Sequence, residues 1–446
     1  MAISAAMKTH LAGSATYLAH LFRVEERPRE CVIHWSSGSI ANAKARGGYL
    51  KKFGGADGTD DAGARSIASF DGDVYFKCTV RLTGGLFSET YVGLTTSTSM
   101  PTVSSLTFAI RTGAGENVRV YESGVLKFTH SAPAKPGDHV RVQRVGTTVT
   151  YWLNRTKLYT SLASSTGTLY AGVSLFDLDT IIDQAVFGFV PTVILVTDHT
   201  RKITFNGEVY TPLPLMPTRF NRSDGLKPDN AELTHILSSG GVSEADIIGG
   251  RWDFARYEFS TVNYLDLTMG VAQRMVGHFG QFKINTAGYF TSELRSLSQP
   301  MSQEIGDIVG ALCVAPQLGG FRCGLPMDSY TDDTTISSVT NSLTLVLGLS
   351  KSDGYFEFGL IRFRNGQNKF YEREIKNNVG ATITLQRPFP FLPLATDQVT
   401  VEAGCNRTRA KCKTFPNVAN PSGTNIENFQ GYPDVPGISK TLRYPD

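Results

Sequence analysis

The sequence predicts a mainly β protein of about two to four domains, and three observations carry that reading. In 446 residues, 44 Gly and 20 Pro stand beside 26 Phe and 17 Tyr, a mixture of turn formers and strand formers. From Asp73 to about Phe189, short runs of alternating or β-branched residues follow one another, broken by Gly, Asn, Asp or Pro-Gly turns. No apolar run approaches the ~18 residues that a membrane-spanning helix needs.

Charge excludes further classes. Charged residues make up only 19% of the chain and the net charge is +3, too little to argue for nucleic acid or an anionic membrane. A surface this neutral suits a chain that lies against protein partners. The opening stretch MAISAAMKTHLAGSATYLAHLF is interrupted by Lys8, His10 and His20 and lacks a basic start or cleavage pattern, so it is not read as a signal peptide.

Along the chain, the first ~20 residues read as a short helix or arm, followed by a strand from Tyr17 to Val24. The Gly/Asp-rich stretch Gly54 to Ser66 reads as a mobile loop, with Asp57, Asp60 and Asp61 in solvent. The runs DVYFKCTVRL, TYVGLTTS, LTFAIRTG, NVRVYESG, HVRVQRVG, TVTYWLN, LYAGVSLF and QAVFGFV then predict a β-sandwich or jelly roll over residues 30–189. VILVTDHTRKITFNGEVYTPLPL reads as strands joined by a polar turn and by Asn206-Gly207. Ser243 caps a miniature helix that Gly249 stops. Strands follow at Trp252 to Tyr264, GHFGQFKI, YFTSELRSL, SLTLVLGL, YFEFGLIRF, KFYEREIK, ATITLQRP and QVTVEAGC, before a Pro/Gly/Asn-rich tail from Phe415 to Asp446.

Six cysteines are too few for a disulfide scaffold, and in a chain made in a reducing cytoplasm clustered cysteines suggest metal first. Cys313 and Cys323 bracket nine residues; Cys405 and Cys412 bracket six. Gly319, Gly320 and Gly404 allow the backbone to wrap a small inorganic group. Arg322, Arg407, Arg409, Lys411 and Lys413 would offset the negative charge of four thiolates. Zinc sites more often use closer spacings, so two disulfides or four inert thiols stand beside a metal site. Cys31 and Cys78 read as small buried hydrophobes.

Other candidates point to structure. Asp198 and His199 fall in a strand-joining turn, and His235 and His278 are lone histidines on strands. Asp177, Asp179 and Asp183 lack the regular ligand loop of an EF-hand. The sandwich has a lectin-like or laminarinase-like texture at VTYWLNRTKLYTS, where Tyr151, Trp152, Asn154 and Tyr159 are the candidate carbohydrate contacts. No closely spaced carboxylate pair suggests a glycan hydrolase.

GCNRTRAKCKTFPN followed by NFQGYPDVPG (Asn428 to Gly437) resembles the C-terminal signature of a phage tail-tip hub family shared with gene transfer agents. That family is similar in its C-terminal part to the L tail-tip protein of phage lambda. The resemblance continues through VTDHTRKITFNGEVYTP, SEADIIGGRWDFARYEF, FTSELRSLSQPM and the Cys313–Cys323 loop, and the chain start resembles the family's opening strand. Asn406 departs from the usual Asp after Cys405, and Pro421 to Thr424 lengthens the tail loop.

The resemblance implies two β-rich tail-hub domains with an inserted lectin-like β-sandwich and a four-Cys metal-bound C-terminal region. The divisions are residues 1–29 and 190–310 for the first hub domain, 30–189 for the insertion and 311–446 for the C-terminal domain. It further implies a [4Fe-4S] cluster on Cys313, Cys323, Cys405 and Cys412, with zinc as second choice. A structural, non-enzymatic hub at the virion tail tip is expected, a homotrimer around the DNA channel. Its partners would be the distal tail protein, the central fibre or receptor-binding protein and the tape measure protein, with DNA only as cargo. The rival readings are a cell-wall glycan hydrolase or carbohydrate-binding tail protein acting through the sandwich, and an iron-sulfur oxidoreductase.

Overall fold

The computed structural model describes residues 4–13, 17–81, 89–213, 215–217, 230–236, 242–285, 289–297, 306, 310–416 and 423–434. The chain is mainly β and divides into two compact units, one of residues 1–28 with 191–306 and the other of residues 29–190 with 307–446.

The first unit is built on a nine-stranded sheet. Its order is Ile203–Phe205, Glu208–Pro212, Val193–Thr197, Leu18–Glu25, Arg256–Asn263, Val271–Ile284, Tyr289–Ser296, Asn230–Ile236 and Leu215–Pro217. The strand Leu18–Glu25 lies inside the sheet, pairing Glu25 with Val193 on one side and with Arg256 on the other. Both of its faces are covered by side chains. Ala19 and Leu21 join Ile203, Tyr210 and Val262 in one cluster, while Phe22 and Val24 join Val196, Trp252, Tyr257 and Phe259 in another. The opening helix is Ala5–Leu11, capped by Ser4, whose hydroxyl accepts from Met7 N. Ser243 caps the helix Glu244–Ile248 in a reciprocal capping box with Asp246. Trp252 precedes the strand Arg256–Asn263 instead of opening it, and is buried.

In the second unit, residues Glu30 to Gly188 form two facing sheets. One runs Val125–Pro133, Glu116–Glu122, Phe108–Gly113, Thr90–Thr95, Leu169–Leu175 and Ala62–Phe70. The other runs Thr156–Thr160, Thr148–Leu153, His139–Val145, Val74–Arg81, Ile181–Gly188, Tyr49–Lys52 and Ala43–Arg46, with Glu30–Val32 beside Ile181–Gly188. Phe70, Phe76, Val92, Ile110, Val142, Tyr151, Val173 and Phe187 fill the space between.

The stretch expected to be a mobile loop is ordered on two counts. Ala62–Phe70 is a strand, and its small residues are there because Leu169–Leu175 packs so close that a side chain at Gly63 would collide with Val173 O. Ahead of it, the ammonium of Lys52, wholly buried, donates to Ala56 O (2.8 Å), Thr59 O (3.1 Å), Phe176 O (2.6 Å) and Asp61 Oδ1 (2.6 Å). Asp57 accepts from Leu178 N, and Asp60 accepts from Val103 N and Ser174 Oγ. The three aspartates anchor this loop, while Asp57 stays exposed and Asp60 and Asp61 are partly so, as a solvated loop requires.

The C-terminal region closes a six-stranded barrel in the order Thr331–Val339, Thr344–Leu347, Thr382–Leu385, Glu372–Val379, Leu360–Phe363 and Gln398–Glu402. Phe356, Ile361, Phe363, Ile375, Val399 and Val401 fill it. The barrel packs against the sandwich. Phe370 is part of the sandwich core, and the Arg29 guanidinium lies between the rings of Phe189 (4.5 Å) and Tyr371 (4.2 Å). Arg364 donates to Ser69 O (2.9 Å) and Lys369 to Asp71 O (2.8 Å).

A buried ion cluster lies at the same junction. Arg362 of the barrel, 5% exposed, donates to Glu372 at 2.8 Å and lies 3.6 Å from Glu402, which in turn is 3.6 Å from His34 of the sandwich. Expulsion of water makes each of these charges depend on the others.

Candidate metal centre

The two cysteine pairs flank the barrel, one ahead of its first strand Thr331–Val339 and one after its last strand Gln398–Glu402. Those two strands pair antiparallel, Thr331 opposite Glu402, so closure of the barrel brings both cysteine loops to the same end. Cys313 N donates to Arg407 O at 2.9 Å, joining the loops directly. Gly404 is required by crowding, because a side chain there would strike Glu357 O. Thr408 caps the single turn Arg409–Cys412 and sets the direction of Cys412.

Cys313, Cys323, Cys405 and Cys412 line one cavity of about 150 Å³, together with Ala315, Leu318, Glu402, Phe415 and Asn425. All six cysteines of the chain are free thiols, so the two-disulfide arrangement is not formed. Each of the four sulfurs lies near an amide donor. Gln430 N donates to Cys313 Sγ (3.5 Å) and Arg407 N to Cys405 Sγ (3.4 Å). The Asn425 side-chain amide faces Cys323 Sγ (3.5 Å) and Cys412 Sγ (4.0 Å).

Burial raises the Cys405 thiol above its ordinary range, against the pull of the Arg407 amide. Burial and the neighbouring thiols push Cys412 up to about 11. A metal reverses that balance by binding the thiolate. Among the described residues, no three His, Cys, Asp or Glu groups stand close enough to chelate one ion. A lone tetrahedral zinc needs four sulfurs each about 2.3 Å from the metal. Four sulfurs spaced around a cavity fit a polyatomic group better, and an all-thiolate set with amide donors to sulfur is the donor chemistry of iron-sulfur clusters.

The basic residues are less concentrated on the cavity than their sequence positions suggest. Arg407 Nη2 bonds Pro316 O (3.1 Å), Arg409 pairs with Asp434 (2.9 Å) and Lys411 lies over the Phe415 ring. The Lys411 charge lowers Cys405, as does the Arg407 backbone amide. Asn425 and Gln430 were missed as site residues. Gln430 lies within the tail signature and Asn425 three residues ahead of its second part, but an amide looks like any loop residue until the loop is closed.

The other candidates fall elsewhere. Cys31 and Cys78 are buried in the sandwich, and burial pushes the Cys31 thiol up to about 11. Tyr151 points into the core and donates to Glu122 (3.0 Å), and Tyr159 packs against that same core beside Phe128. Trp152 carries the Arg141 guanidinium 4.7 Å from its ring, and Asn154 occupies a turn at φ 55°. The strand's alternation sends Tyr151 and Trp152 to opposite faces, so the four are not brought together as one sugar platform.

Asp198 is bonded by His20 through N (2.8 Å) and Nδ1 (2.5 Å), while His199 packs on Tyr264, so the two neighbours do not act as a pair. Asp177, Asp179 and Asp183 serve three separate partners, Glu89 N, Lys51 and Arg81. His278 is half-buried on Val271–Ile284; the His235 side chain lies outside the described residues, as does much of the tail loop from Pro421.

Residues 191–326 match the family described as baseplate hub protein, N-terminal attachment domain, and residues 354–438 match the phage conserved hypothetical protein BR0599. A chain of the virion of a native gene transfer agent particle is similar at 29% identity and a TM-score of 0.50, over 57% of this chain and 87% of that one. By these matches the chain is similar to phage baseplate and tail-tip hub proteins. The hub is a structural protein of the virion tail tip.

Two further solved structures are similar over little more than a third of the chain. One is the carbohydrate binding module CBM66 from Bacillus subtilis, at 13% identity and a TM-score of 0.23, covering 36% of the hub and 96% of the module. The other is the exoplasmic/lumenal domain of VIP36, at 11% identity and 0.27, covering 37% and 90%. No curated protein matches the sequence. No helix among the described residues is long and apolar enough to cross a membrane.

Proposed function

We propose that the hub is a non-enzymatic homotrimer around the DNA channel, its C-terminal region closed by a [4Fe-4S] cluster on Cys313, Cys323, Cys405 and Cys412. It would join the distal tail protein to the central fibre or receptor-binding protein, with the tape measure protein above and DNA passing through as cargo. The observation that carries the metal reading is the ring of four free thiols, each near an amide donor, around one cavity. Bound there, the cluster supplies covalent cross-links between two loops that the barrel separates in sequence. The chain's own part is to hold the sulfurs apart, direct amides at them and exclude water with Phe415, Leu318 and Ala315.

Two observations support a structural role. Glu89 and Glu116, the carboxylates grouped on one sandwich face, both bond Arg111, at 2.8 and 2.6 Å. Burial pulls Glu89 up, but Arg111 holds both carboxyls below the usual range, so neither carries a proton to give at neutral pH. Within the residues matched to the attachment domain, exposed Ile248 and Phe254 rim a cavity of about 560 Å³, an apolar surface suited to a neighbour in the tail.

The test is anaerobic purification with measurement of iron and of the broad visible absorption of thiolate-iron charge transfer. Cys405→Ser should abolish both, and Cys31→Ala should leave both. Wild-type protein with zinc and no iron overturns the cluster. For the assembly, imaging of particles should show this chain as a three-fold collar between tube and fibre. A chain that is absent from virions and cleaves glycans overturns the structural reading.

A further inference from the structure

We infer that Asn425 is a positioning residue for the cluster, among the described residues the one side chain that directs a donor at sulfurs of both cysteine pairs, and that it thereby sets the cluster's potential and retention. This rests on the iron-sulfur reading above. Asn425 is 2% exposed, and a polar side chain buried that deeply needs its bonds made. Its Nδ2 donates to Cys323 O (3.3 Å) and faces Cys323 Sγ (3.5 Å) and Cys412 Sγ (4.0 Å).

The orientation of the amide follows from its other end. Oδ1 accepts from Asn428 Nδ2 at 2.8 Å, which leaves the NH₂ group to face the sulfurs. The backbone is fixed as well. Asn425 N donates to Phe415 O (2.8 Å). The donors at Cys313 and Cys405 are backbone amides, which a side-chain substitution other than proline leaves in place. Among the described residues, Asn425 is therefore the side-chain lever on the four sulfurs.

The physical consequence is electrostatic. An N–H aimed at a thiolate sulfur stabilises its negative charge, so each such donor makes the cluster easier to reduce and harder to lose. A residue that only filled space or tied down the tail would alter stability without altering the potential.

The experiment compares iron-loaded wild type with Asn425→Ala, the near-isosteric Asn425→Asp and Asn428→Ala, which leaves Asn425 in place but frees its amide. Midpoint potential and the rate of iron loss to a chelator are measured. The potential should fall in N425A, fall further in N425D, where a negative charge replaces the donor, and fall least in N428A. Iron loss should quicken by about tenfold or more in the first two. Arg274→Ala, which removes a pair with Glu258 on the nine-stranded sheet, should change neither quantity. Potentials and iron loss equal to wild type in all Asn425 and Asn428 variants, with iron present in wild type, overturn the inference alone. A wild type without iron overturns the cluster reading and this inference together.

Discussion

Phe370 of the barrel stacks on Phe70 of the sandwich, ring centroids 4.7 Å apart and planes 21° from parallel. The barrel therefore supplies part of the sandwich's own core, and the insertion is built into the C-terminal region. Phe370→Ala is expected to cost about 3–5 kcal/mol, read as a shift in the denaturant midpoint. Replacing residues 30–189 with a short linker is expected to expose Phe370 and the Arg29–Tyr371 stack and to give poorly soluble protein. A deletion variant as soluble and cooperative as the full chain would show that the packing is dispensable.

Arg362→Met removes the only cation that the structure places between Glu372 and Glu402 among the described residues. Glu402, 4% exposed, is then left as an uncompensated buried charge. Breaking a buried pair in this way costs about 3–5 kcal/mol, whereas the double variant with Glu402→Gln should recover part of the loss. Equal stabilities for single and double variants would show that the two charges are not coupled.

His34 gives the same junction a pH dependence. Burial holds its imidazole below the usual 6.5, despite Glu402 drawing it up; Arg362, Asp328 and Glu372 also face it. The unfolded chain then binds a proton that the folded chain refuses. Stability should be full above about pH 6.5 and fall as the pH drops below it, until folded His34 is also protonated. The melting temperature between pH 8 and 5 should show this slope in wild type and a shallower one in His34→Phe. Parallel curves would assign the acid sensitivity to other groups.

Much of this arrangement was legible in the sequence because strands buried on one face announce themselves by alternation. HVRVQRVG and TVTYWLN are strands where the pattern puts them. AGARSIASF was not legible as a strand, since its small residues answer to the closeness of a neighbour, which no local pattern records. TDDTTISSV, a barrel strand, was hidden by its polarity. The four cysteines stood out by residue type and by resemblance. Asn425 and the Arg362–Glu402–His34 cluster did not, because their meaning comes from contacts between distant parts of the chain, such as Asn425 to Cys323 and Glu402 to His34.

Lys52 supplies the last prediction. Lys52→Met keeps the aliphatic stem but leaves three carbonyl oxygens and the Asp61 carboxylate without their shared donor. A loss of about 1–3 kcal/mol is expected for the unmet acceptors, with faster amide exchange confined to residues 54–61. Exchange in that loop as slow as in wild type would mean that Asp57 and Asp60 hold it unaided.

The pairing of the barrel's first and last strands, with both cysteine loops at one end, bears on how a tail tip carries load. A pull applied to the chain ahead of Cys313 and beyond Phe415 meets the Cys313–Arg407 bond and the contacts of Asn425 before it reaches the strands. Tension is diverted across the mouth of the barrel, and the six strands are shielded from being peeled apart one by one. The region between these loops thus behaves mechanically as a closed ring threaded on a short bridge, and the strength of that bridge decides how much force the hub can pass on without unravelling.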